Sequence, residues 1–370
     1  MRMFKHHILN RFLTGHFARA FFMIFGAIFG IIFLFTMINT AVGASSASPV
    51  PMAALLEISL AGAFGALEVL LPLSVLIAGT IAFWRMSRSS ELTIIRSVGI
   101  SVWSFLSPMV LACALIGAAH MAVLNPISAV LNRRVEKISY RYGMSHSNPM
   151  LFSQNGLWLK ERREDGRDSF LYAGSVKRNG NSIDAKDITI FEIAEDSRIR
   201  RTIEAKSGNL TETDLRLKDV RTVSSDLAET QSATMSYPTQ LSVDKIEENS
   251  SKPESFSFWS LPSFIEFFES AGFSARRHKA HFYSLLFTPL TLISMLFISA
   301  IFSISPKRNQ AHLFIKLSGG IGIGFVAFFL AQVVKAMGAA GRMPVLLSCI
   351  SIPLVALLVS STALLEMEDG

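Results

Sequence analysis

Cysteine is nearly absent: the 370 residues hold two, Cys113 and Cys349, both inside apolar runs. They offer neither a disulfide framework nor a thiolate metal quartet, and they say nothing about redox compartment. Nucleotide chemistry is missing as well. No G-x-x-x-x-G-K-[ST] occurs, and neither does the dipeptide Gly-Lys, so the chain has no P-loop of its own. G-x-S-x-G and H-E-x-x-H are also absent. The nearest metal-like spacing, His278-Lys279-Ala280-His281, lies among basic residues beside an apolar run and reads as a polar flank. There is no catalytic residue, metal site or cofactor pattern to assign. Charged side chains make up 17% of the chain against about 25% in ordinary soluble domains, which excludes a typical cytosolic enzyme.

What fills the space is hydrocarbon. Half of the residues are hydrophobic, and mean hydropathy is positive. The charges are also segregated: residues 125–280 carry 23 Lys or Arg and 22 Asp or Glu, while the other 214 residues carry 12 and 6. A polar, nearly neutral insert therefore interrupts a membrane protein. The net charge of +7 falls almost wholly on the membrane part, which marks contact with a membrane surface rather than with nucleic acid.

Apolar stretches long enough to cross about 30 Å of hydrocarbon, roughly 20 residues each, occur near 20–42, 62–84, 102–124, 282–304, 313–336 and 344–365. Basic residues mark one side: Arg2, Lys5 and Arg11, then Arg85, Arg88 and Arg96, then Lys307 and Arg308, while 40–61 has none. Both termini are expected in the cytoplasm, with residues 125–280 outside. The basic flanks of the insert (Arg133, Arg134, Lys137, Arg141; Arg276, Arg277, Lys279) oppose this, although long domains translocate largely regardless of charge. The first span is too long for the 7–15-residue core of a cleavable signal peptide, so it is expected to be retained.

Inside the insert, strand-forming stretches alternate with turn signals: Gly156 to Leu159, Asp165-Gly166, Phe170 to Tyr172, Asn179-Gly180, Ile188 to Phe191, Ile199 to Ile203 and Leu215 to Leu217. This pattern predicts a sandwich or jelly roll. A helix is expected at 261–271, ended by Gly272 and lying along the outer membrane surface. The expected fold is thus an α-helical integral membrane protein of six transmembrane helices with an inserted extracytoplasmic β-jellyroll-like domain. Its parts are helices one to three in 1–124, the β domain with flanking helices in 125–280, and helices four to six in 281–370.

Between the second and third spans, residues 87–99 read as a short amphipathic helix: serines precede acidic Glu91, Leu92, Ile95 and Val98 follow at helical spacing, and Gly99 ends it. Such a helix either lies on lipid or couples the spans to another protein.

The run Leu71-Pro72-Leu73, Arg88-Ser89-Ser90-Glu91-Leu92, Arg96-Ser97-Val98-Gly99-Ile100 and Gly156-Leu157-Trp158-Leu159-Lys160 resembles the lipopolysaccharide-export permeases, the LptF/LptG (YjgP/YjgQ) family. Ser270-Ala271-Gly272, Pro289-Leu290, Gly322 to Val326 and Pro344 continue the likeness in the same order. The Gly-Leu-Trp turn and the fifth span look closer to the LptG branch. This resemblance implies a non-enzymatic permease subunit in the inner membrane of a Gram-negative bacterium, extracting lipopolysaccharide and passing it to a periplasmic β-jellyroll bridge. Its implied partners are an LptF-like paired permease, an LptB-like ATPase dimer and an LptC-like single-span jellyroll protein. Glu91 takes the position of the acidic loop residue that meets the ATPase, with Arg88, Leu92, Ile95 and Arg96 around it.

The family also binds lipid phosphates near the outer rim, partly through lysines of the first span. Here residues 20–42 hold no Lys or Arg. Arg133, Arg134 and Arg141 are the candidate rim cations, since guanidinium suits bidentate phosphate contact; the plainer reading makes them interfacial anchors or partners of Glu136. Gly26 and Gly30, and Gly320 and Gly324, form G-x-x-x-G pairs that serve either static helix packing or the lateral gates implied for spans one and five. Glu68 within the second span is either paired with a rim cation or part of a proton path. Two alternative functions remain: a proton-coupled secondary lipid transporter, and a membrane-anchored scaffold for periplasmic proteins.

Overall fold

The computed structural model describes all residues except 1, 46–50, 142–149, 154–155, 163–167, 180–181, 194–198, 212–213, 225–228, 240–251, 304–309 and 370. The chain divides into two compact units: a helical one (Met1–Met144, Phe256–Leu261, Arg276–Gly370) and a β unit (Ser145–Ser255, Pro262–Ala275).

The helical unit begins with α1 (Arg2–Ser45), α2 (Met52–Arg88), the loop helix α3 (Glu91–Ser97) and α4 (Val102–Ala119). α4 passes through a π-helical turn, His120–Leu124, straight into α5 (Asn125–Arg141). The helix thus runs on past 125, where the insert with its flanking helices is expected to begin. Pro126 cannot return a hydrogen bond to Ala122, and the π turn directly before it accommodates the loss without breaking the rod. Among the described residues, five helical stretches are long and apolar enough to span a membrane: Leu9–Gly43, Met52–Arg88, Val102–Ser139, Lys316–Ala339 and Val345–Glu366.

The expected fourth span, 282–304, is broken. Arg276–Leu286 and Thr288–Ser303 form two helices bent by 53°. Pro289 explains the break, because it cannot donate to the carbonyl of Leu285.

Packing in this unit centres on α2. Val75, Leu76, Phe83 and Met86 of that helix are fully buried together with Leu13 and Phe17 of α1, Phe105, Leu106 and Met109 of α4, and Leu292 and Leu296 of the fourth-span helix. Phe83 meets Phe105 with ring centroids 5.7 Å apart. Trp103 meets Phe297 at 5.9 Å, edge to face.

The β unit is one antiparallel sheet of seven strands in sequential order: β1 (Met150–Ser153), β2 (Gly156–Arg162), β3 (Asp168–Asn179), β4 (Ser182–Ile193), β5 (Ile199–Leu210), β6 (Asp214–Ser224) and β7 (Glu229–Pro238). The inserted β domain is thus a continuous meander, and a crease gives it depth. On β4 the buried residues are Ile183 and Ala185, then Ile188 and Ile190, with Lys186 and Asp187 both turned outward. β6 repeats this with Leu215 and Leu217, then Val220, across outward Lys218 and Asp219. Asp187 and Asp219 have φ of 53° and 52°, left-handed values that a side chain adopts at a cost and that re-aim the strand. β5 shifts in step at Lys206 and Ser207.

The two sheet halves therefore keep one apolar interior while folding toward each other. Gly208 lies within it, where an added Cβ would stand 2.6 Å from Ile188 Cδ1. Closing the unit is α6 (Leu261–Ser270). The N–H groups of Gly272 and Phe273 return to the carbonyls of Glu269 and Phe268, and Gly272 takes φ 84°, a Schellman stop. The helix ends as expected, but its apolar side (Phe264, Ile265, Phe268) is buried rather than laid on lipid. The Ala271 carbonyl, just past its end, accepts from Arg178 N of β3 at 2.8 Å.

After α6 come α7 (Arg276–Leu286) and α8 (Thr288–Ser303), the bent pair, then α9 (Gln310–Ala339) and α10 (Val345–Asp369).

Candidate functional site

Three surfaces of the helical unit carry the candidate residues. The first is the loop between α2 and α4. Its helical core is α3 alone, shorter than the expected 87–99, because Arg88 ends α2 and Ser90 turns the chain at φ 62°. Gly99, at φ 79°, stops it as expected. Leu92 is buried in the core, and Ile95 packs against that core. Those two side chains hold the loop helix down. The opposite face offers Ile94 and Val98, 61% and 73% exposed and one turn apart. Glu91 is half-buried at the first turn, and its Oε2 has no partner among the described residues. Arg88 is exposed, with its guanidinium 5.7 Å from the Trp84 ring centroid. The side chain of Arg96 lies outside the described residues.

The second surface is the end of α5 from which the chain leaves for the sheet. Arg133 and Arg134 are both exposed there. Arg133 Nε donates to the Ala129 carbonyl at 3.3 Å. Arg134 makes an ion pair with Glu57, near the start of α2. Glu68 lies eleven residues further along the same helix, about 16 Å at helical rise. Arg141 is the last residue of α5, and its side chain lies outside the described residues.

The third surface is lateral, and there the two glycine pairs part company. An added Cβ on Gly320 would meet the Phe302 side chain, and one on Gly324 would meet Leu76 of α2. Both serve packing within this chain. Around Gly26 and Gly30 nothing lies within 4 Å, and the same outward side of α1 shows Phe22, Met23 and Leu34. On α9 the open positions are Gly319 and Gly322, beside exposed Ile323, Phe325, Val326 and Phe329.

Sequence reasoning missed Glu57 as the partner of Arg134, and the only signal was its acid beside a cation-free stretch. It put Leu92, Ile95 and Val98 on one apolar face, and the structure separates them: Leu92 and Ile95 turn to the core while Val98 stays exposed beside Ile94. It also passed over His120, Asn125 and Ser128, which are buried in the third span.

With these surfaces in view, the relationship to known proteins becomes informative. The family described as lipopolysaccharide export system permease LptF/LptG matches residues 11–366. The chain belongs to that family. Among its relatives, the Escherichia coli (strain K12) lipopolysaccharide export system permease protein LptG is 23% identical over 279 residues, covering 72% of each chain. The Haemophilus influenzae (strain ATCC 51907 / DSM 11121 / KW20 / Rd) protein of the same description is 22% identical over 279 residues, covering 72% of this chain and 73% of its own. The LptF/LptG match runs through the α3 loop, both glycine pairs and the inserted sheet, so the three surfaces all lie on family structure.

Proposed function

We propose that this protein is the transmembrane permease subunit of an ATP-driven lipopolysaccharide exporter, lying in a bacterial inner membrane with both termini in the cytoplasm and the β unit in the periplasm. It does no chemistry on the lipid. An LptB-like ATPase dimer binds below, an LptF-like permease pairs alongside, and an LptC-like jellyroll protein receives the cargo. The observation that carries this reading is the loop helix. α3 is pinned to the apolar core of the helical unit by Leu92 and Ile95 while Ile94 and Val98 stay exposed, the side that faces the cytoplasm in this reading. A lever fixed on one side and apolar on the other suits transmission of a partner's motion into α2 and α4. Transmission further requires that the motor grip the loop differently in its two nucleotide states. The exposed sides of α1 and α9 supply the seam for the second permease, with small residues allowing close approach.

Arg133 and Arg134 are the cations offered to lipid phosphates, and Arg134 is held by Glu57 until the lipid arrives. The test is reconstitution. The subunit with its paired permease and ATPase should release lipopolysaccharide from proteoliposomes to a periplasmic acceptor only with ATP. Release by the subunit alone in a proton gradient would overturn the reading.

A further inference from the structure

The third span has its least regular backbone where it buries polar side chains. At the π turn the Asn125 N–H reaches back to the His120 carbonyl, a five-residue step that places the two side chains on one side of the rod. Ser128 follows less than a turn later. All three are enclosed: His120 is 3% exposed, Asn125 1% and Ser128 2%. The side chains turned outward around them, Val123, Ile127 and Val130, are apolar and exposed.

Asn125 Oδ1 accepts from the Phe258 N–H at 2.7 Å. Asn125 Nδ2, Ser128 Oγ and both ring nitrogens of His120 have no partner among the described residues. A neutral imidazole carries one donor and one acceptor whichever tautomer it adopts. Four unmet polar atoms in a dry interior would together cost a large share of a domain's net stability.

The neighbouring span is irregular at the same place. Gly117, three residues before His120, lies against Pro289 so closely that a Cβ would stand 2.7 Å from the proline Cα. Pro289 marks the 53° bend between α7 and α8, and the Leu285 carbonyl receives nothing from it. On the other side of His120, the Phe258 held by Asn125 stacks on Phe282 of α7 with centroids 5.1 Å apart. The polar trio therefore stands between the two contacts that tie the π turn to the bend.

We propose that His120, Asn125 and Ser128 line a buried binding site for water, and that this wet joint is where the third and fourth spans pivot against each other. Water fits the chemistry because it donates to an imidazole acceptor and accepts from the imidazole N–H, the amide and the hydroxyl. One or two molecules making about three bonds each satisfy all four atoms. No formal charge sits on the trio, so an ion has no counter-charge there. A solvated joint also lets backbone groups exchange partners as a helix bends, which a dry contact between packed side chains resists.

The test uses the full chain with its partner proteins in nanodiscs and X-ray hydroxyl-radical footprinting, in which a bound water oxidises the side chains it touches even when bulk solvent cannot reach them. His120 should be labelled although it is enclosed, and Asn125→Leu with Ser128→Ala should cut that labelling about tenfold by removing the water's partners. Ser128→Ala alone, a mild change, should give an intermediate loss if the double variant fails to fold. An unlabelled His120 in the unsubstituted complex overturns the site. Labelling of His120 that is equally strong in the double variant also overturns it, since the trio's polar atoms then hold nothing.

The pivot is read separately by the distance between spin labels at Val130 and Leu286, with and without trapped nucleotide. A change in the unsubstituted protein that shrinks in the Ser128→Ala variant supports it, and an equal change in both overturns it. The footprint needs no nucleotide, so the water site can fail while the export reading stands, and the reverse.

Discussion

The Thr239 hydroxyl, one residue beyond β7, donates to both carboxylate oxygens of Glu161 in β2, at 3.0 and 2.9 Å. In a flat meander those strands would stand five spacings apart, about 24 Å. The contact shows that the creased sheet closes on itself and joins its far end to its second strand. Glu161 is buried, so this hydrogen bond to a charged group is expected to contribute about 2 kcal/mol. Thr239→Val should therefore speed hydrogen exchange across Glu229–Pro238 while leaving exchange in α2 unchanged. Equal protection of β7 in both proteins would show that the seam does not hold the sheet closed.

The crease also explains how much of the sheet was legible. Asn179-Gly180 and the apolar alternation marked where strands lie, but Asp187 and Asp219 break the alternation by one residue. Strands of twelve and eleven residues consequently read as short pieces, such as Ile188 to Phe191 and Leu215 to Leu217. Aspartate enters the left-handed region more readily than most residues, but the residue type does not say which aspartate will do so. In the membrane unit, hydropathy found the spans since solvent alone sets that pattern. Pro289 can break a helix, but hydropathy could not show the 53° bend there or that Gly117 lies against it, nor the pairing of Glu57 with Arg134, which are far apart in sequence.

The glycine pairs give opposite expectations. Gly324→Ala places a methyl against Leu76 and should lower the thermal stability of the chain in detergent, with Leu76→Ala restoring part of the loss. A coupling of about 0.5–3 kcal/mol in the double-mutant cycle is the expected scale. Gly26→Leu enters open space and should leave the isolated chain's stability unchanged while weakening co-purification of the paired permease. A stable pair with Gly26→Leu would remove α1 from the proposed seam.

The loop helix separates anchoring from docking. Leu92→Asp puts a charge in the apolar core of the helical unit and should cause misfolding, seen as loss of the monodisperse peak in size-exclusion chromatography. Ile94→Asp and Val98→Asp change exposed positions and should preserve that peak while abolishing capture of the ATPase. If both surface variants still bound the motor as well as the unsubstituted protein, docking would have to use another part of the loop.

Arg134 and Glu57 offer a test of the phosphate rim, because the two readings of Arg134 predict different outcomes for each half of the pair. Arg134 is mostly exposed, and such ion pairs contribute about 0–1 kcal/mol. An anchoring role then predicts that Arg134→Ala and Glu57→Gln have similar, small effects on stability and none on lipid. A phosphate-binding role predicts a divergence. Glu57→Gln removes the competitor for the guanidinium and should raise lipopolysaccharide retention about twofold to fivefold, the value of one exposed pair. Arg134→Ala should lower retention, more so together with Arg133→Ala, and the loss should shrink at high salt as screening weakens the reference interaction. Quantifying co-purified lipid by mass spectrometry across the four proteins distinguishes the cases, and parallel behaviour of the Glu57 and Arg134 variants would return both arginines to a purely anchoring role.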